Sequence, residues 1–181
     1  SNVVMYTSAD VADGDSQAKQ TWSAITVTIT NVADDTEYLV IDGSECDITT
    51  AATCVANTAT NAGAAVVTLA GDPVTATVVW TADASSTTDA EMETLINAIA
   101  YKNDDDNPTA GARVITITTL KDEGGTANSG DDSVTVTLDA TATVLPVNDA
   151  PASAGDTVSV AEDVAHNSWT AGSDWGYSDA E

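Results

Sequence analysis

The chain is expected to fold as an all-β sandwich with one short helix, followed by the start of a second module. Three observations predict this. Alternating apolar and polar residues recur in short runs, turn-forming residues cluster between the runs, and the apolar residues are mostly Ala and Val with no Phe at all. Period-two alternation places every second side chain on one face, as a strand with one buried face requires. Seven or so short strands at this spacing describe a β-sandwich. A length of 181 residues allows one domain, or one domain plus a fragment, and a chain of that size can bury roughly 70% of its unfolded surface. The 43% apolar content argues against wholesale disorder, but with 4% aromatics the core must be thin and built from small or β-branched side chains.

The first clear strand covers residues 23–31, where Ile25, Val27 and Ile29 alternate with Thr26, Thr28 and Thr30. Short apolar runs at 38–41 and 65–69 fit further strands, and the alternation returns at 75–81, 113–119, 133–138 and 141–147. Turn clusters separate them at 33–35, 42–43, 71–73, 103–108 and 124–132. Residues 88–99 break the pattern, because Met92, Leu95, Ile96 and Ile99 share a helical face behind a hydroxyl or carboxylate cap, with Glu91 in the first turn. That segment predicts a short helix across one end of the sandwich, there for packing. Trp22 and Trp80 lie in strand contexts and are expected in the core, since a Phe-free interior needs some large side chains.

Pro146 and Pro151 flank Asn148 and Asp149, which marks a boundary. The expected organisation is a sandwich over 1–147, a linker over 148–151 and the start of a following or split module over 152–181, with a strand at 156–161. Trp169, Trp175 and Tyr177 would belong to that partial module, either in its core or as a ligand platform. Residues 8–15 faintly echo 173–181, as tandem modules would. The first residues carry no initiator Met, basic region or long apolar stretch, so the chain is expected to be a piece of something longer.

Four basic side chains stand against 29 acidic ones, a formal net charge of -25. This excludes a protein that tracks phosphates on nucleic acid, and an anionic membrane surface on the same ground. No run of 18 apolar residues is present to span a bilayer. Salt bridges cannot balance so many carboxylates, and bound cations relieve their self-repulsion. Calcium suits them, because it takes six to eight oxygens from carboxylates, amides and backbone carbonyls on loops. The candidate ligands are Asp10, Asp13 and Asp15; Asp104, Asp105, Asp106 and Asn107; Asp122 and Glu123; Asn148 and Asp149; Glu162 and Asp163; and Asp174, Asp179 and Glu181. No EF-hand pattern occurs, so their number carries the expectation.

Cys46 and Cys54 lie eight positions apart, with the lone His166 remote and no C-x-x-C, which does not suit zinc. They read as a short disulfide loop across a hairpin, implying an oxidising compartment, with two reduced thiols as the alternative. An enzyme is not expected. His166 reads as a loop residue of the partial module, acids this numerous single out no catalytic pair, and no phosphate-cradling glycine loop is present.

The residues around the boundary carry a resemblance. Residues 143–151 (Thr-Val-Leu-Pro-Val-Asn-Asp-Ala-Pro), with 160–163 (Val-Ala-Glu-Asp) and 175–181 (Trp-Gly-Tyr-Ser-Asp-Ala-Glu), resemble the tandem cadherin-like repeats of giant bacterial repeats-in-toxin adhesins. Residues 96–103 (Ile-Asn-Ala-Ile-Ala-Tyr-Lys-Asn) and 107–116 (Asn-Pro-Thr-Ala-Gly-Ala-Arg-Val-Ile-Thr) are similar to that family too. The resemblance covers most of the chain. It implies an immunoglobulin-like or cadherin-like sandwich, extracellular on a bacterial surface, with several Ca2+ ions stiffening the junctions between modules. By the same analogy Asn148 and Asp149 would supply linker ligands, and Glu162 and Asp163 those of the following module. The implied partners are neighbouring modules of the same adhesin, the chain itself being a monomer. The implied role is a calcium-stiffened extender for cell or surface attachment. The alternative within the class is a calcium-dependent module that recognises a host or surface peptide or glycan, sometimes inserted into a split extender. The cysteine loop and the acidic start at 10–15 depart from the usual repeat.

Overall fold

The computed structural model describes residues 2–12, 21–57, 62–83, 87–124, 131–146, 152–153 and 177–178. Two units divide the chain, Ser1–Leu145 and Pro146–Glu181. The first contains strands β1 (Val3–Val4), β2 (Trp22–Val32), β3 (Glu37–Ile41), β4 (Ser44–Asp47), β5 (Thr53–Asn57), β6 (Ala62–Ala70) and β7 (Val74–Ala82). Helix α1 (Asp89–Asn97) follows, then β8 (Ala100–Asn103), β9 (Gly111–Asp122) and β10 (Ser133–Val144). In the second unit the described strands are β11 (Ala152–Ser153) and β12 (Tyr177–Ser178), paired antiparallel. The strand expected at 156–161 lies outside the described residues.

The first unit is two antiparallel sheets packed as a sandwich, ordered β1-β8-β3-β4 and β10-β9-β2-β7-β6-β5. Alternation explains the packing. Ile25, Val27 and Ile29 of β2, Ala76, Val78 and Trp80 of β7, and Ile115 and Ile117 of β9 are buried on the inner face of the larger sheet. Leu39, Ile41, Cys46 and Tyr101 face them from the smaller sheet. Each fully buried Val, Leu or Ile contributes about 1.5–3 kcal/mol, which lets a core without Phe hold the sheets together.

Among the described residues Trp80 is the largest fully buried side chain, and it fits because position 63 of β6 is a glycine with no side chain against the indole. A Cβ on Gly63 would sit 2.6 Å from the indole ring. Gly63→Ala is therefore expected to destabilise the unit by about 1–3 kcal/mol through overpacking. The measurement is a urea midpoint lowered at constant slope, and an unchanged midpoint would show that the core yields there.

The helix begins where the sequence indicates. Thr88 is its cap: Thr88 Oγ1 accepts the Glu91 N–H at 3.4 Å, while Glu91 Oε2 accepts the Thr88 N–H at 2.8 Å. Met92, Leu95 and Ile96 turn into the core, and the helix carries the chain from the larger sheet at β7 to the smaller at β8.

Three features differ from expectation. The runs at 133–138 and 141–147 form one strand, β10, which ends at Val144 and absorbs its irregularity in a register shift between Thr135 and Leu138. Strands β1, β4, β5 and β8 are too short to declare themselves by alternation. Cys46 and Cys54 are disulfide-bonded, but the bond does not cross a hairpin. It joins β4, an edge of the smaller sheet, to β5, an edge of the larger, because residues 48–52 carry the chain from one sheet to the other.

The path has a further consequence. Val3 pairs with Tyr101 and Val144 pairs with Gly111, so β1 starts and β10 finishes beside the 104–110 loop. Val3, Val144 and Leu145 line one cleft of about 340 Å³ together with Asn103 and Pro108. The first and last strands of the unit thus share an end.

Candidate functional site

That shared end is also where the acids gather. The 33–36 turn leaves β2, the 104–110 loop leads into β9, and the Asp104 N–H donates to the Thr36 carbonyl at 3.0 Å. Beneath the two loops lies a buried ionic network. Arg113 is 1% exposed and Glu37 0%, so their charges persist only by meeting each other. Arg113 Nη2 donates to Glu37 Oε1 at 2.9 Å and to Asp34 Oδ2 at 3.3 Å, while its Nε donates to Glu37 Oε2 at 3.1 Å. The Tyr101 hydroxyl donates to Glu37 Oε2 at 2.8 Å, and the Ala33 and Asp34 N–H groups each donate to Glu37 Oε1 at 2.9 Å.

Asp34 fastens the loop above. It accepts the Thr109 N–H at 2.9 Å and Asn103 Nδ2 at 2.7 Å, which grips the loop near both of its ends. Burial on its own would raise the Asp34 carboxyl, but the Thr109 and Asn103 hydrogen bonds and the Arg113 charge together hold it below its usual value. Burial works against the Arg113 charge too, and the Glu37 hydrogen bonds and charge overcome it, raising the guanidinium pKa. The Tyr101 phenol is raised by burial and by its bond to Glu37.

The loop itself is wound by its own side chains. Asn103 Oδ1 accepts the Asp105 N–H at 2.8 Å, and Asp105 Oδ1 accepts the Asn107 N–H at 2.9 Å. Lys102 pairs with Asp104 at 2.6 Å and Glu45 at 2.9 Å, and those two hydrogen bonds raise its pKa. Asp105 and Asp106 have no ion-pair partner among the described residues. Of the four candidates here, Asp104 shares Lys102 with Glu45, while Asp105, Asp106 and Asn107 retain oxygens that could meet a hard cation.

Asp122 and Glu123 lie at the far end of β9, about 35 Å away at the rise of a strand. Asp122 Oδ1 accepts the Gly124 N–H at 2.6 Å, Glu123 Oε2 accepts the Thr21 hydroxyl at 3.0 Å, and Lys121 pairs with Asp132 at 3.3 Å. Asp10 lines an apolar cleft with Ile96 and Leu138. Asp13, Asp15, Asn148, Asp149, Glu162, Asp163, Asp174, Asp179 and Glu181 lie outside the described residues, as do the side chains of Trp169, Trp175 and Tyr177. Among the described residues no three His, Cys, Asp or Glu side chains are gathered as a metal-holding group. Asp105, Asp106 and Asn107 carry oxygens of the type calcium takes, fewer than the six to eight it needs.

Sequence reasoning missed Asp34, Glu37, Tyr101 and Arg113. A signal existed for two of them: Arg113 shares the parity of Ile115 and Ile117, and Glu37 that of Leu39 and Ile41, so alternation turns both inward. Comparisons with protein-family models, curated protein sequences and solved structures return no match to this chain.

Proposed function

We propose that the chain is a non-enzymatic, calcium-binding module of a large bacterial surface adhesin, working outside the cell. The observation that supports it most is the 104–107 loop, braced from below by the Asp34–Arg113–Glu37 network at the end where the chain enters and leaves the unit. In this reading Asp105, Asp106 and Asn107 give oxygens to the ion. Bound cation would stiffen an otherwise self-repelling acidic stretch.

Within the adhesin two roles remain, and one observation favours the second. An extender passes the chain in at one end and out at the other, adding its length to a rod. Here β1 starts and β10 finishes at one end, which suits a module that stands off the line of the chain to recognise a peptide or glycan.

Calorimetric titration with calcium chloride, with melting followed in calcium and in EDTA, tests the cation. One site at a free concentration 100 times its Kd should stabilise the protein by about 2.7 kcal/mol. Asp105→Asn combined with Asp106→Asn should remove one equivalent of bound calcium. No binding heat together with identical melting in both buffers would overturn the reading.

A further inference from the structure

The larger sheet overhangs the smaller along one flank. Its edge strand β10 runs 12 residues, whereas the smaller sheet ends on that side in β1, which runs two. Val134 and Leu138 are opposite the buried Leu120 and Ile117, so they belong to the inner face, yet each stays 47% exposed, although the Leu138 carbonyl accepts the Tyr6 hydroxyl at 3.1 Å and residues 9–11 line the cleft beside it. Two clefts of about 340 Å³ each open along this flank. Ile96, Ile117, Leu120 and Leu138 line the first; Val3, Tyr101, Ala142 and Val144 line the second.

Among the described residues no strand pairs with the outer edge of β10. Leu138 and Ala142 are four residues apart, about 13 Å along a strand, so a chain laid beside β10 would aim side chains four positions apart into the two clefts. The charges say what that chain carries. Neither cleft is lined by Lys or Arg, Asp10 lines the first, Asp139 stands on β10 between them, and the whole chain is at -25. A second copy of this chain would be repelled, while a basic one is drawn in.

We infer that the β10 edge docks an extended segment of another protein, apolar at positions four apart and basic between them, as an added strand. Main-chain hydrogen bonds supply the affinity and the two clefts the selectivity. The contact uses no metal, so it stands apart from the cation reading.

The test is fluorescence anisotropy in EDTA with a labelled Lys-Leu-Lys-Thr-Lys-Leu-Lys-Thr peptide, against the same peptide with Glu in place of Lys. The basic peptide should bind and the acidic one should not. Leu138→Lys should weaken binding about tenfold or more, because an inward charge blocks an edge. Val66→Lys, which makes the same charge change at a 44% exposed position on β6, should leave affinity within about twofold. In the unsubstituted protein, amide shifts on adding the basic peptide should concentrate in 133–144, not in the other edge strand at 53–57. Equal weakening by both variants, binding of the acidic peptide, absence of binding, or self-association abolished by Leu138→Lys would each overturn the proposal.

Discussion

Arg113→Ala is expected to lower the unfolding free energy by about 3–5 kcal/mol, the largest single-residue effect anticipated in this unit. The loss comes less from the vanished attraction than from what is left behind. Glu37, fully buried, and Asp34, 8% exposed, would keep their carboxylates without the guanidinium that faces both. Replacing Glu37 by Gln together with Arg113 by Met removes that pair but leaves Asp34 unpaired, so it should recover part of the loss, and urea denaturation of the unsubstituted protein, the two single variants and the double variant measures the Glu37–Arg113 coupling. Acid should act on the same network. The Asp34 pKa is depressed in the folded state, so its contribution is complete above the unfolded value of about 3.9 and disappears as pH falls through the folded value. Melting temperature should therefore drop below about pH 4, and Asp34→Asn should flatten that part of the profile. A profile identical in the two proteins would refute the assignment.

Removing the disulfide with Cys46→Ala and Cys54→Ala should cost roughly 2–3 kcal/mol, the loop-closure value for so short a ring. Reducing agent on the unsubstituted protein should give the same shift, since both treatments release the same two edges. Amide exchange would rise first in β4 and β5, which the bond holds together across the sandwich. No change in midpoint would mean that packing of Cys46, fully buried, already secures that flank.

The sequence was most informative where one side chain in two faces the core over a long run. Strand β2 extends its expected bounds by one residue at each end because Ile25, Val27 and Ile29 leave no other register. Thr88 and Glu91 mark the helix start because a capping box is local chemistry. Partner choice is different. Alternation turns Arg113 and Glu37 inward, but only the packing of the two sheets against each other makes partners of residues 76 positions apart. The eight-residue interval between Cys46 and Cys54 fits a hairpin or a crossing between sheets equally well, and the pairing of β4 with β3 and β5 with β6 decides it. For the acids, composition announces the excess without saying which are already satisfied. Asp34 and Asp104 are answered by Arg113 and Lys102, whereas Asp105 and Asp106, indistinguishable from them in sequence, meet no basic side chain among the described residues.

The common end of β1 and β10 also governs how the unit would answer tension. A pull on the two ends of the unit meets both strands at the same end, so the ladder between β9 and β10 is loaded one rung at a time instead of all together. Such a unit unzips under modest force, while the Cys46–Cys54 bond, on the opposite flank, lies outside the line of load until β10 has peeled away.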